Sequence, residues 1–148
     1  MEGLFTELNQ HRAVIHLLLH AGMPALVVVI YKAFFSKIAP YQPVATGSWL
    51  SQTLQLPLVI MLLTMVVDVD HLLATPIYAP NRCSIWFHPL HTAWPIFFYG
   101  IMLFWPIIKR KTTGFLRVTD KVVAWAGAGL LIHMLLDAID CLWMRCSG

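Results

Sequence analysis

Charge is what this sequence has least of. Asp, Glu, Lys and Arg together supply 11% of its 148 residues, against about 25% in soluble globular domains. That shortage excludes a disordered tail and an ordinary soluble enzyme. Basic residues exceed acidic ones by only three. In so apolar a chain this excess is no footprint for nucleic acid, which is set aside as a partner. Internal repeats and low-complexity segments are also lacking.

What is abundant is apolar surface. Hydrophobic residues make up 59% of the chain, and the mean hydropathy is +0.72. Four runs meet the length of a spanning helix, roughly 20 mostly apolar residues. They are residues 13–35, 51–70, 91–108 and 122–143. The runs are continuous rather than alternating, which excludes a membrane β-barrel. The expectation is an all-α protein: one transmembrane domain over 1–148, built as an integral-membrane four-helix bundle. The first run reads as a retained helix rather than a signal peptide. Tyr31, Lys32 and Phe34 stand where small cleavage-site residues would be needed.

The basic residues orient the bundle. Lys32, Lys37, Lys109, Arg110, Lys111, Arg117 and Lys121 flank one side, and only Arg12, Arg82 and Arg145 the other. By the positive-inside rule the termini and loop 71–90 face outward, and loops 36–50 and 109–121 face the cytoplasm. Loop 71–90 holds Ile77, Tyr78, Trp86 and Phe87 among its prolines, so it is expected to fold against the membrane surface. The tryptophans, mostly near run ends, form an interfacial belt. Ala124, Ala126, Gly127, Ala128 and Gly129 make the last helix thin enough for close packing.

Against this background the polar residues are informative. Of seven acids, Asp68, Asp70, Asp137 and Asp140 lie in or at the end of an apolar run, where a charge costs at least ~2.5–3.5 kcal/mol. His16, His20, His71, His88, His91 and His133 follow the same pattern. The topology, assigned from Lys and Arg alone, puts these groups at one outward depth on all four helices. His16/His20 and His133/Asp137 are spaced i,i+4, and Asp68/His71 and His88/His91 i,i+3, so each pair shares a face. Pro89 suits the first turn of a helix. His11 precedes the membrane and reads as interfacial.

Imidazoles and carboxylates gathered at one depth are the donor set of a divalent transition metal, zinc first, as one or two ions. The expected ligands are His16, His20, Asp68, His71, His91, His133 and Asp137. Asp68 and Asp70 project to nearly opposite sides of an α-helix, so Asp70 is assigned with His88 and Asp140 to proton transfer, and Arg82 to an anionic substrate group. Asp70 has the alternative of pairing with Arg82, and Asp140 that of a solvated interfacial acid. Cys83, Cys141 and Cys146 all fall outward. A Cys83–Cys141 disulfide is favoured over a thiolate ligand or free thiols.

The strings carrying these groups are His16/His20, Asp68-Val-Asp70-His71-Leu-Leu-Ala-Thr-Pro76, Asn81-Arg-Cys83-Ser-Ile-Trp-Phe-His88-Pro-Leu-His91, and Leu131-Ile-His133-Met-Leu-Leu-Asp137-Ala-Ile-Asp140-Cys141. Over most of its length the chain resembles a group of uncharacterised small bacterial inner-membrane proteins. More loosely, it is similar to the membrane-bound metal-dependent hydrolases. That set has a His-Arg…Thr-His-Ser element where this chain has His88-Pro-Leu-His91-Thr92 without the Arg and Ser. The resemblance implies the bacterial inner membrane and a hydrolase whose site faces the periplasm.

The function expected is a metal-dependent hydrolase working at the outer membrane interface. Its substrate would be a lipid or lipid-linked ester or phosphoester, with a water acidified by the ion as nucleophile. Two alternatives stand beside it: a metal or proton transporter or sensor, and a non-catalytic membrane protein with a structural metal. Membrane lipids surround any of the three, and a homo-oligomer is compatible with each.

Overall fold

A computed structural model describes residues 11–35, 57–77 and 82–147. The expected loop 36–50, the start of the second run at 51–56, and Tyr78, Pro80 and Asn81 lie outside the described residues. Every regular element described is helical: α1 Arg12–Phe35, α2 over 57–63, a 3₁₀ segment Thr64–Leu73, a 3₁₀ turn Pro89–His91, α3 Ala93–Thr113 and α4 Val118–Ser147. Two spans, Val14–Tyr31 in α1 and Val118–Arg145 in α4, are long and apolar enough to cross a membrane.

Three of the expected helices differ in extent from expectation. The second run does not continue as an α-helix to Asp70 but tightens at Thr64 into ten residues of 3₁₀ winding. The third helix starts at Ala93 rather than His91, because Thr92 is extended, with φ −92° and ψ 170°. It continues past Ile108 to Thr113, since Lys109, Arg110 and Lys111 are good helix formers whose charge suits a helix C-terminus. Gly114 ends it in the left-handed region at φ 69°, and its N–H donates to the Arg110 carbonyl at 3.0 Å. α4 is longer than 122–143 at both ends.

A buried carboxylate joins α3 to α4. Asp120, in the first turn of α4, accepts from the Arg117 backbone N–H at 2.8 Å and from the Trp105 indole at 2.9 Å. The first of these bonds satisfies a donor at the helix start. Further along, α4 has no side chains where its neighbours press closest. A Cβ on Gly127 would sit 2.5 Å from Leu103 N and 2.8 Å from Tyr99 O; one on Gly129 would sit 2.7 Å from Thr64 Oγ1 and 3.0 Å from Met61 Cα. The small-residue stripe thus wedges α4 between α3 and the 57–73 stretch. Val67, Tyr99 and Met134 form the apolar core beside it, with Ile96, Met102 and Leu130 packed around them.

The interior is unusual in what it buries. Seven hydrophobic side chains are buried among the described residues, and so are seven polar ones: His20, Asp70, His88, His91, Asp120, His133 and Asp137. Leu17, Leu18, Val66, Leu72, Phe97, Phe98, Leu135 and Leu142 point outward instead. Water would penalise such an arrangement, whereas hydrocarbon favours it.

The loop before α3 is folded over 82–91. Cys83 is bonded to Cys141 with Cα atoms 5.0 Å apart, which ties the loop to α4 and removes the thiolate-ligand alternative. Phe87 and His88 N–H groups donate to the Ser84 carbonyl, and Trp86 N–H donates to that of His91. Trp86 holds φ at 71°, a left-handed conformation rare for a bulky residue. Mass spectrometry without reductant, on protein from an oxidising compartment, is expected to recover Cys83 and Cys141 as one crosslinked peptide pair. Recovery of both as free thiols would contradict that linkage.

Candidate metal centre

The 3₁₀ winding decides how the Asp68-Val69-Asp70-His71 string is presented. With 3.0 residues per turn, residues three apart stack. Val67 and Asp70 form the buried ridge, Met65, Asp68 and His71 a half-buried one, and Val66, Val69 and Leu72 the exposed one. Asp68 and Asp70 then lie about 120° apart instead of about 160°. Both reach the same imidazole, that of His91. This corrects the expectation that Asp70 faces away from the cluster.

His91 is the centre of the cluster and has no exposed side-chain surface. Its Nδ1 lies 3.2 Å from Asp70 Oδ2 and its Nε2 lies 3.0 Å from Asp137 Oδ2 and 3.5 Å from Asp68 Oδ1. Asp70 Oδ2 also accepts the Leu90 N–H at 2.8 Å, so the carboxylate is fixed to the turn that carries His91. α4 brings His133, whose Nε2 lies 3.0 Å from Asp68 Oδ1 and 3.5 Å from Asp137 Oδ2. α1 brings His16 and His20, with Nε2 atoms 3.2 and 3.3 Å from Asp137 Oδ1. His71 presents Nδ1 to Asp68 at 3.4 Å and to Asp70 at 3.2 Å, and its Nε2 lies 3.2 Å from Ser84 Oγ.

Three donor groups result, each with its atoms within 4.8 Å of one another: Asp68, His91, His133 and Asp137; His16, His20 and Asp137; and Asp70, His71 and His91. All seven expected ligands fall in these groups, and Asp70 joins them.

The donor chemistry fits a metal ion. Despite the short distances, His20 Nε2, His91 Nε2 and Asp137 Oδ2 are buried without hydrogen-bonding geometry to any partner. A neutral imidazole has one N–H. If His91 donates it from Nδ1 to Asp70, its Nε2 keeps a lone pair 3.0 Å from Asp137 Oδ2, and since the pair lacks the geometry to share a proton, a metal cation suits the two. A carboxylate on the far nitrogen of an imidazole is the usual support of a metal-ligating histidine, setting tautomer and ring angle.

The other expected site residues are placed elsewhere. His88 is buried and stacks on His71, ring centroids 3.7 Å apart. Burial pushes its imidazole below the ordinary value, and His71 adds to this. A neutral His88 braces His71. Arg82 donates to the Pro76 and Ile77 carbonyls at 2.8 and 2.9 Å and lies over the Phe87 ring. It therefore pairs with loop carbonyls and not with Asp70. Asp140 lies 3.5 Å from Arg12 Nε. Ser84 and the Leu90 N–H are contributors that sequence reasoning missed. Both lie inside the Asn81–His91 string, where neither residue type signals a role.

The cluster is open at its rim. Asp68 keeps 42% of its side chain exposed, and His71 and His16 30% each, while His91, His133, Asp137 and His20 keep almost none. Anything approaching the centre meets Asp68, His71 or His16 first.

Residues 10–144 match a family model described as a family of unknown function, DUF6122. No curated protein and no solved structure matches the chain.

Proposed function

The chain belongs to the DUF6122 family of unknown function, so its own site carries the functional reading, and we propose that it is a metal-dependent hydrolase of the bacterial inner membrane. Its substrate is a lipid or lipid-linked ester or phosphoester, reached from the outer face. The observation that carries this is the meeting of Asp68, His91, His133 and Asp137 beside an edge open at Asp68. A catalytic ion needs a coordination position that water or substrate can reach, and the exposed Asp68 offers the approach. Asp68, His91, His133 and Asp137 would hold a divalent ion, zinc first among candidates, which would supply charge to polarise an ester or phosphoryl oxygen and to acidify water.

The protein's own residues do the rest. Asp70 holds His91 in one tautomer and one orientation. His71, half-exposed and set between Ser84, Asp68 and Asp70, is placed to take and return a proton at the open edge. His88 fixes the plane of His71 from behind.

The membrane arrangement belongs to the same proposal: four spans, both termini and the site outward. Supporting it are the basic asymmetry of the sequence and the apolar outer surfaces of α1, α3 and α4. A reporter fused after Gly148 is expected to report an external location and one inserted at Thr113 a cytoplasmic one. The opposite result would move the site to the inner leaflet.

Activity is tested with a panel of phospholipids, lipid-linked pyrophosphates and acyl esters in mixed micelles, with products read by mass spectrometry. Turnover that needs a divalent metal and disappears in Asp68→Asn is the expected result. Full metal loading with no turnover across the panel would leave a structural metal site and remove the enzyme.

A further inference from the structure

We infer that the cluster holds two metal ions rather than one, with the Asp137 carboxylate bridging them and the second ion on His16 and His20. This rests on the metal-site reading above and extends it.

The two oxygens of Asp137 serve different histidine pairs. Oδ2 faces His91 Nε2 at 3.0 Å and His133 Nε2 at 3.5 Å; Oδ1 faces His16 Nε2 at 3.2 Å and His20 Nε2 at 3.3 Å. Asp68, His91, His133 and Asp137 form the donor group of the first ion. His16 and His20 form a separate donor group whose one shared member is Asp137.

His20 shows why that group suits an ion and not merely a brace for Asp137. Its Nδ1 lies 2.9 Å from the His16 carbonyl oxygen, which can only accept. The single N–H of a neutral imidazole is therefore spent on that carbonyl. Nε2 is left with a lone pair, buried, without a hydrogen-bond partner, and 3.3 Å from a carboxylate oxygen. Two such groups that close share a proton or a metal ion, and a shared proton would need the hydrogen-bonding geometry that this pair lacks. The helix supplies the geometry: His16 and His20 are one turn apart on α1, so both Nε2 atoms reach the same oxygen.

Paired ions about 3.5–4 Å apart, one on each side of a shared carboxylate, are the usual arrangement for clamping the attacking and leaving oxygens of a phosphoester. Within the proposed substrates this favours the phosphoester over the carboxylic ester.

The test is metal stoichiometry on full-length protein purified in detergent without chelator. Wild type, His16→Ala/His20→Ala and His91→Ala are compared by elemental analysis, each checked for monodispersity and helical content. A second arm loads the same proteins with Mn(II) and records electron paramagnetic resonance. Expected are two ions per chain in wild type and one in the His16/His20 variant. The Mn(II) signal should be spin-coupled in wild type and become that of an isolated ion in the variant.

One ion in both proteins, with an uncoupled signal, would overturn the second site and leave the single-ion reading standing. Two ions retained in the His16/His20 variant would also overturn it, because the second ion would lie elsewhere. No metal in wild type would remove both readings. Should the double variant fail to stay monodisperse, His16→Gln alone decides the question. It alters the half-exposed histidine at the rim and is expected to weaken one of the two Mn(II) sites selectively; equal weakening of both, or of neither, would overturn the bridge.

Discussion

His91→Ala is expected to strip from the protein the ion held by Asp68, His91, His133 and Asp137. His91 is the one residue that touches all three acids of the cluster, with Asp70 on one nitrogen and Asp68 and Asp137 on the other. Its removal deletes a donor and leaves the carboxylates of Asp68, Asp70 and Asp137 facing a void. Affinity should fall by more than the ~10–100-fold seen when an outer support of a metal ligand is lost. Asp70→Asn is the graded companion. Its effect should lie within that ~10–100-fold range, because the amide still offers an oxygen to the Leu90 N–H but a weaker acceptor to His91. Isothermal titration of the apo-proteins with zinc ranks the two. Equal effects, or none from Asp70→Asn, would mean that Asp70 does not set the ligand's orientation. Helical content should persist in both, since the apolar segments and not the metal specify insertion.

The second large effect is expected at a residue with no side chain. Gly127→Leu must place carbon where Leu103 N and Tyr99 O already stand. Those neighbours are backbone atoms of α3 and cannot rotate away. The helices must part, which also strains the Asp120–Trp105 bond that joins them. Overpacking of this kind costs about 1–3 kcal/mol, and more when backbone must move. Thermal unfolding in detergent should show a clear fall in Tm. Gly22→Ala and Gly100→Ala are the matched controls, because a Cβ at either meets nothing within 4 Å. In a helix interior each should be neutral or stabilising by about 0.5–1 kcal/mol. A loss at Gly22 or Gly100 equal to that at Gly127 would show that general helix tolerance, not close approach, is being measured.

Much of this protein follows from composition and spacing. The helical class follows from the apolar runs, because a chain with so little charge must satisfy its backbone internally. The donor list was readable for a related reason. His16, His20, Asp68, His71, His91, His133 and Asp137 stand out in apolar surroundings, where such groups are costly unless they meet partners. The Cys83–Cys141 link followed from placing both cysteines at one end of the bundle.

Other features depended on how the segments meet. Nothing in Thr64–Leu73 announces 3₁₀ winding, since an apolar run of that length reads equally well as an α-helix. Yet that winding turns Asp70 toward His91. The neighbours of His88, Arg82 and Asp140, to which the sequence lent roles in proton transfer and anion binding, were likewise unreadable: an imidazole to stack on, two loop carbonyls and the Arg12 guanidinium. The division of Asp137 between two histidine pairs is the furthest from the sequence. Residue spacing can say which groups share a helix face, but which oxygen of a carboxylate meets which helix is set by side-chain rotation and by packing across α1, α4 and the turn before α3.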